Sequence, residues 1–279
     1  MFLWHLIALS VFHISLYRIS DAKKVNWTSE RKLEYREATR ELWEHGYESY
    51  MSYAFPMDEL MPLSCFGRGP DWDNPSNIGT NDVAGNYSLT LVDILDTLAI
   101  MGNQQEFSDA VENVINWVQF DVDTKPQVFE VTIRVLGGLL SGHILASEER
   151  LGHKLDWYQG QLLALAKDLG ERLLPAFKTD TGLPYARINL RHGVLANEST
   201  ETCVAGAGSL ILEFGTLSRL TGDDRFEKAA YKAFFGLWNR RSDIGLVGNN
   251  IDVHTGKWGT ETTGIGAGVD SFYEYALKW

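Results

Sequence analysis

QVFEVTIRVLGGLL, residues 127–140, is the stretch on which the reading of this chain turns. Between Pro126 and Ser147 the sequence is almost wholly apolar or small, and Glu130 and Arg134 are its only residues charged at pH 7. The pattern predicts a buried helix over 127–147. Residues four apart on a helix lie one turn from each other on one face. An acid and a guanidinium therefore share one face of a helix whose other residues ask to be buried.

The arrangement recurs. In SLTLVDILDTLAIMG, residues 88–102, the only charges are Asp93 and Asp96; in CVAGAGSLILEFGTL, residues 203–217, the only charge is Glu213. In GIGAGVDSFYEYAL, residues 264–277, Asp270 and Glu274 stand four apart, and like charges at that spacing oppose a helix unless something else holds them. A buried carboxylate is costly unless it is paired or hydrogen-bonded. Each acid alone reads as a satisfied buried group or a helix end meeting solvent, and Glu130 with Arg134 as a structural ion pair. Taken together, four helices would converge their acids on one polar pocket. Glycoside hydrolysis requires such a set, one acid protonating the leaving oxygen while a second activates water. The nine Trp, eleven Tyr and thirteen Phe serve sugar stacking and core packing equally well.

Outward from these segments, periodicity predicts helix after helix: near 29–53, 88–102, 104–119, 127–147, 155–173, 203–221, 223–240 and 265–279. Longer connections at 54–87, 174–202 and 241–264 are rich in Gly, Pro, Asn and Asp and include a hairpin-like piece at Asp252–Gly256. Paired helices with long loops at intervals suggest helical hairpins packed side by side, as a solenoid or a closed α/α toroid. An irregular helical domain is the alternative.

The net charge of −12 argues against nucleic acid, whose phosphates the summed field would repel. Residues 1–22 read as a signal peptide or signal anchor, since the apolar run from Phe2 to Tyr17 is short for a membrane span. Asn26, Asn86 and Asn197 begin N-x-S/T sequons, which suits a secretory lumen. Cys65 and Cys203, the only cysteines, lack metal-ligand spacing, and whether they pair is open.

VFEVTIRVLGGLLSGH, LTLVDILDTLAIMG, KDLGERLLPAF and GVDSFYEYALKW together resemble the family 47 α-mannosidases, which trim α-1,2-linked mannose from N-glycans. ESYMSYAFPMDELMPLSCFGRG, SNIGTNDVAGNYSLTLVD and ETCVAGAGSLILEF resemble its ER degradation-enhancing branch. The resemblance implies an all-α (α/α)7 barrel, of which residues 29–279 would supply about the first four hairpins of a catalytic domain truncated at its C-terminal side. It implies an inverting α-1,2-mannosidase with Glu130 as general acid, Arg134 as a substrate and acid-orienting contact, and Asp270 as a second acid that positions water. Asp96 and Glu213 would be supporting residues of the barrel interior. Calcium is the implied cofactor, held by a threonine outside these residues, as is the base glutamate. A non-catalytic mannose-binding module is therefore the alternative reading. The implied partners are N-glycans of misfolded glycoproteins in the ER lumen, and an ER oxidoreductase.

Overall fold

The computed structural model describes residues 26–279; the expected signal segment 1–22 lies outside the described residues. The chain separates into two compact units, Met1–Trp43 and Glu44–Trp279. In the first, the Thr28 hydroxyl accepts the Arg31 amide at 3.2 Å and so caps helix α1, Ser29–Tyr53. The Arg31 guanidinium lies over both the Trp27 and Tyr35 rings, which meet edge to face.

The second unit is built from helical hairpins in two layers. One layer contains α3 (Leu89–Asp93), α4 (Leu95–Met101), α6 (Val128–Ser147), α8 (Val204–Gly208), α9 (Ile211–Thr221) and α11 (Asp270–Lys278). The other contains α5 (Gln104–Trp117), α7 (Gln161–Leu173) and α10 (Arg225–Trp238). A short helix, α2, covers Ile78–Asn81. Within the first layer α6 packs against α3, α4 and α9, and α11 against α8 and α9. The hairpins α4–α5, α6–α7 and α9–α10 join the layers.

The second-layer helices show how sequence produces this. Helix α5 starts with a capping box, Asn103 accepting the Gln105 and Glu106 amides while the Glu106 carboxylate accepts the Asn103 amide, which satisfies donors that a helix start leaves orphaned. It buries Phe107, Ala110, Val111 and Val114, a stripe at helical spacing. Helix α10 does the same with Phe226, Ala230, Ala233, Phe234 and Leu237. Gly222, at φ 74°, turns the chain between α9 and α10 in the left-handed conformation that glycine adopts without strain.

Helix α6 is long and apolar enough to cross a membrane by length and composition, yet half of its apolar window is buried in protein. Its glycines explain the packing. A Cβ on Gly138 would lie 2.3 Å from the Val92 carbonyl oxygen of α3, and one on Gly142 would lie 2.7 Å from Leu95. Gly138→Ala is expected to destabilise the unit by about 1–3 kcal/mol, the usual cost of overpacking against atoms that cannot retreat. Denaturant titration measures this, and an unchanged midpoint would show that α3 yields freely.

Two small antiparallel sheets sit in the loops. Strands β1 (Glu59–Met61) and β2 (Phe66–Arg68) form a hairpin with Glu59 opposite Arg68. Strands β3 (Glu201–Cys203), β4 (Asn250–Asp252) and β5 (Trp258–Thr260) pair in the order β3–β4–β5, and the expected hairpin at Asp252–Gly256 is the β4–β5 connection. The structure corrects four helix expectations. The 155–173 helix starts only at Gln161. The 88–102 helix breaks at Ile94, at φ −100° and ψ 8°. The 203–221 helix breaks at Ser209 and Leu210, where the Ser209 hydroxyl bonds the Ser271 hydroxyl at 2.8 Å. The last helix starts at Asp270 instead of 265, because the glycine-rich GIGAG that precedes it has little helix propensity.

Candidate active site

Of the first-layer helices, α4, α6, α9 and α11 carry Asp96, Glu130, Glu213 and Asp270 in their first turn, α3 ends on Asp93, and α8 carries no acid. Glu130 closes the first turn of α6, and Arg134 lies in a π-helical stretch, Val131–Leu136, inside that helix. Such stretches are rare and concentrate at functional sites. The Arg134 Nε donates to Glu130 Oε2 at 2.8 Å. Its Nη1 lies 3.6 Å from Asp93 Oδ2 of α3. One guanidinium thus ties two carboxylates across two helices. Glu130 retains 22% side-chain exposure and Arg134 41%, so the cluster is open to a ligand.

The second carboxylate is Asp93, one of the lone acids of 88–102, to which the sequence reading gave no role. Burial pushes the Asp93 carboxyl above its ordinary value, with Arg134 pulling it back. The supporting role expected for Asp96 in the interior is not what the structure shows: Asp96 is exposed. Its charge still adds to the upward shift of Asp93.

Asp270 begins α11 and is exposed. Helix α8 packs between the Glu130 segment and α11. It can do so because it is built of Val, Ala and Gly: a Cβ on Gly208 would lie 2.4 Å from the Phe272 ring. The Cys203 thiol caps α8, accepting the Gly206 amide at 3.2 Å. Burial pushes this thiol up, and the charges of both Asp270 and Glu130 add to the shift. Cys203 and Cys65 are both free.

Glu213 accepts the Tyr275 hydroxyl at 2.7 Å through Oε1, while its Oε2 is buried without a partner among the described residues. A Cβ on Gly137 of α6 would lie 3.8 Å from Glu213 Cγ, so this acid ties α9 to α11 beside the π-helical stretch. Burial raises its carboxyl, which favours the protonated form in the folded state. Stability is then expected to fall as pH rises from the ordinary 4.5 through the raised folded value, because the folded state holds a proton that the unfolded chain has released. Glu213→Gln should flatten that slope. Melting curves of both variants across pH 4–8 decide it, and parallel curves would count against a buried protonated acid.

Asp58, absent from the sequence reading, holds the approach to Asp93. It is fully buried. Its Oδ2 accepts the Gly85 and Asn86 amides at 2.9 and 2.6 Å, and its Oδ1 the Tyr87 and Leu89 amides at 3.0 Å each. Its own carbonyl accepts the Thr90 amide at 3.0 Å. Asn86 and Ser88 take φ near +55°, at 56° and 54°, which curls successive N–H groups around the carboxylate as a nest. The start of α3, and hence the position of Asp93, is fixed by this acid.

These acids on one layer of helical hairpins fit a glycoside hydrolase, and the comparisons identify which. The model of glycosyl hydrolase family 47 matches residues 42–279. The chain belongs to family 47. Among its relatives, ER degradation-enhancing alpha-mannosidase-like protein 1 of Schizosaccharomyces pombe is 59% identical over 250 residues, covering 90% of this chain and 32% of that protein. ER degradation-enhancing alpha-mannosidase-like protein 2 of Homo sapiens is 49% identical over 88% of this chain and 40% of its own length. The chain therefore spans about a third to two fifths of the curated relatives it matches. An alpha-1,2-mannosidase from Trichoderma reesei superposes with a TM-score of 0.76 at 27% identity, over 88% of this chain and 50% of that one. The all-α hairpin layers accordingly belong to the family 47 (α/α)7 barrel.

Family 47 implies calcium, a hard cation that takes 6–8 oxygen ligands. The residues described here do not fit it. No group of three or more His, Cys, Asp or Glu could hold a metal among the described residues, and Asp93 and Glu130 already share the positive charge of Arg134.

Proposed function

We propose that this chain acts on the high-mannose N-glycans of misfolded glycoproteins in the ER lumen, as an inverting α-1,2-mannosidase that marks them for degradation. The observation that carries the reading is the Glu130–Arg134–Asp93 cluster on neighbouring helices of a family 47 fold. Glu130 is the general acid, giving its proton to the leaving mannose oxygen. Arg134 fixes the carboxylate through Nε and turns its outer edge to the substrate. Asp270, exposed at the start of α11, positions the water that attacks the opposite face, as inversion requires.

Exposure of Asn26, Asn86 and Asn197 supports their use as N-glycan acceptors in that lumen. An oxidoreductase partner would meet the free, exposed thiol of Cys65. The test is mannose release from a high-mannose N-glycan with calcium present, followed by mass spectrometry beside Glu130→Gln. Loss of single mannoses in the parent alone supports the enzyme. Glycan binding with no release from either protein would replace the enzyme by a mannose-binding module.

A further inference from the structure

A cavity of about 280 Å³ has Pro70, Trp72, Pro75 and Ile78 among its lining residues. Trp72 is 58% exposed and lines this cavity. Polar residues line it too. Arg187 donates from Nε and Nη2 to the two oxygens of Asp82 at 2.5 and 2.8 Å, and Asn189 donates to Asp123 at 2.7 Å. Thr124 lines the same cavity, is 2% exposed, and its hydroxyl is buried without a partner among the described residues. An unpaired buried hydroxyl costs free energy unless a ligand or water satisfies it.

An exposed indole together with fixed charged and amide groups lining one cavity is the chemistry that complements a pyranose ring. The C–H face of the sugar covers the indole, and its hydroxyls both donate and accept. The Arg187–Asp82 pair offers three further N–H donors of the guanidinium and free lone pairs of the carboxylate. The size is near the lower end of ligand pockets, roughly 300–1,000 Å³, which suits one hexose better than a larger group.

The cavity is anchored to the helix that carries Glu130. The Gln127 amide donates to the Asp82 carbonyl at 2.9 Å, the Val128 amide to the Ala186 carbonyl at 2.9 Å, and the Leu190 amide to the Thr124 carbonyl at 3.0 Å. Glu130 stands three residues past Gln127, about 4.5 Å of helix rise. The helix that places Glu130 thus begins on the loops that line the cavity.

We propose that the Trp72–Thr124–Arg187 cavity is a second hexose subsite, which holds a sugar of the same N-glycan other than the one cleaved; this rests on the mannosidase reading for the identity of the oligosaccharide. It would select branched glycans over short mannosides. Binding of a high-mannose oligosaccharide is measured by titration calorimetry for the parent, Trp72→Ala and Thr124→Val, with mannose release from that glycan and from an α-1,2-linked disaccharide followed separately. Trp72→Ala is expected to weaken binding about tenfold, and to raise KM for the large glycan while leaving the disaccharide unchanged. Thr124→Val should weaken binding with no loss of melting temperature, since its hydroxyl has no partner among the described residues. Equal affinity in all three proteins, or no binding by the parent at millimolar glycan, would overturn the subsite. Binding that depends on Trp72 without mannose release from any protein keeps the subsite and removes the mannosidase. Release with unchanged binding in both variants does the reverse.

Discussion

Glu130→Gln is expected to lower mannose release by roughly 10²–10⁴-fold, the range attached to removal of a positioned general acid. The substitution keeps the shape of the side chain and its acceptor oxygen for Arg134 but takes away the transferable proton. Folding is not the cause of the loss. The Glu130–Arg134 pair is partly exposed, and an exposed i,i+4 pair contributes only about 0.3–0.5 kcal/mol. Arg134 also keeps its second partner, Asp93. An unchanged melting temperature with lost turnover assigns the effect to chemistry. Release within threefold of the parent would mean that another group donates the proton.

Asp58→Ala is expected to be the most destabilising change, at about 3–5 kcal/mol, because it leaves three buried amides and one half-buried amide without an acceptor. For a unit of this size that is a fall of roughly 10 °C in melting temperature. The cost is large because no water reaches the site to replace the carboxylate: Asp58 is fully buried. Asp58→Asn tests the charge separately, since the amide retains one acceptor oxygen and should recover only part of the loss. A melting temperature within 2 °C of the parent for the alanine variant would show that the 85–89 turn holds itself. Activity should follow stability here, because the turn starts α3 and α3 places Asp93.

Sequence by itself determined the helical layers and the segments that hold the acids. Helical spacing of apolar residues is a local property, so α5, α7 and α10 were legible from their buried stripes. Glu130 and Arg134 were legible as a pair because four residues on a helix bring them together wherever that helix packs. The glycines of α6 and α8 were visible too, but not what they touch.

Tertiary structure alone decided the rest. Asp93 and Asp96 look equivalent in LVDILD, and only the packed structure pairs one with Arg134 and leaves the other exposed. Asp58 lies 27 to 31 residues from the amides it binds, a separation across which no local pattern carries information. The sugar-sized cavity joins Trp72, Thr124 and Arg187 from three loops. Helix spacing is written in consecutive residues, whereas a carboxylate's partners depend on which elements the packed core brings together.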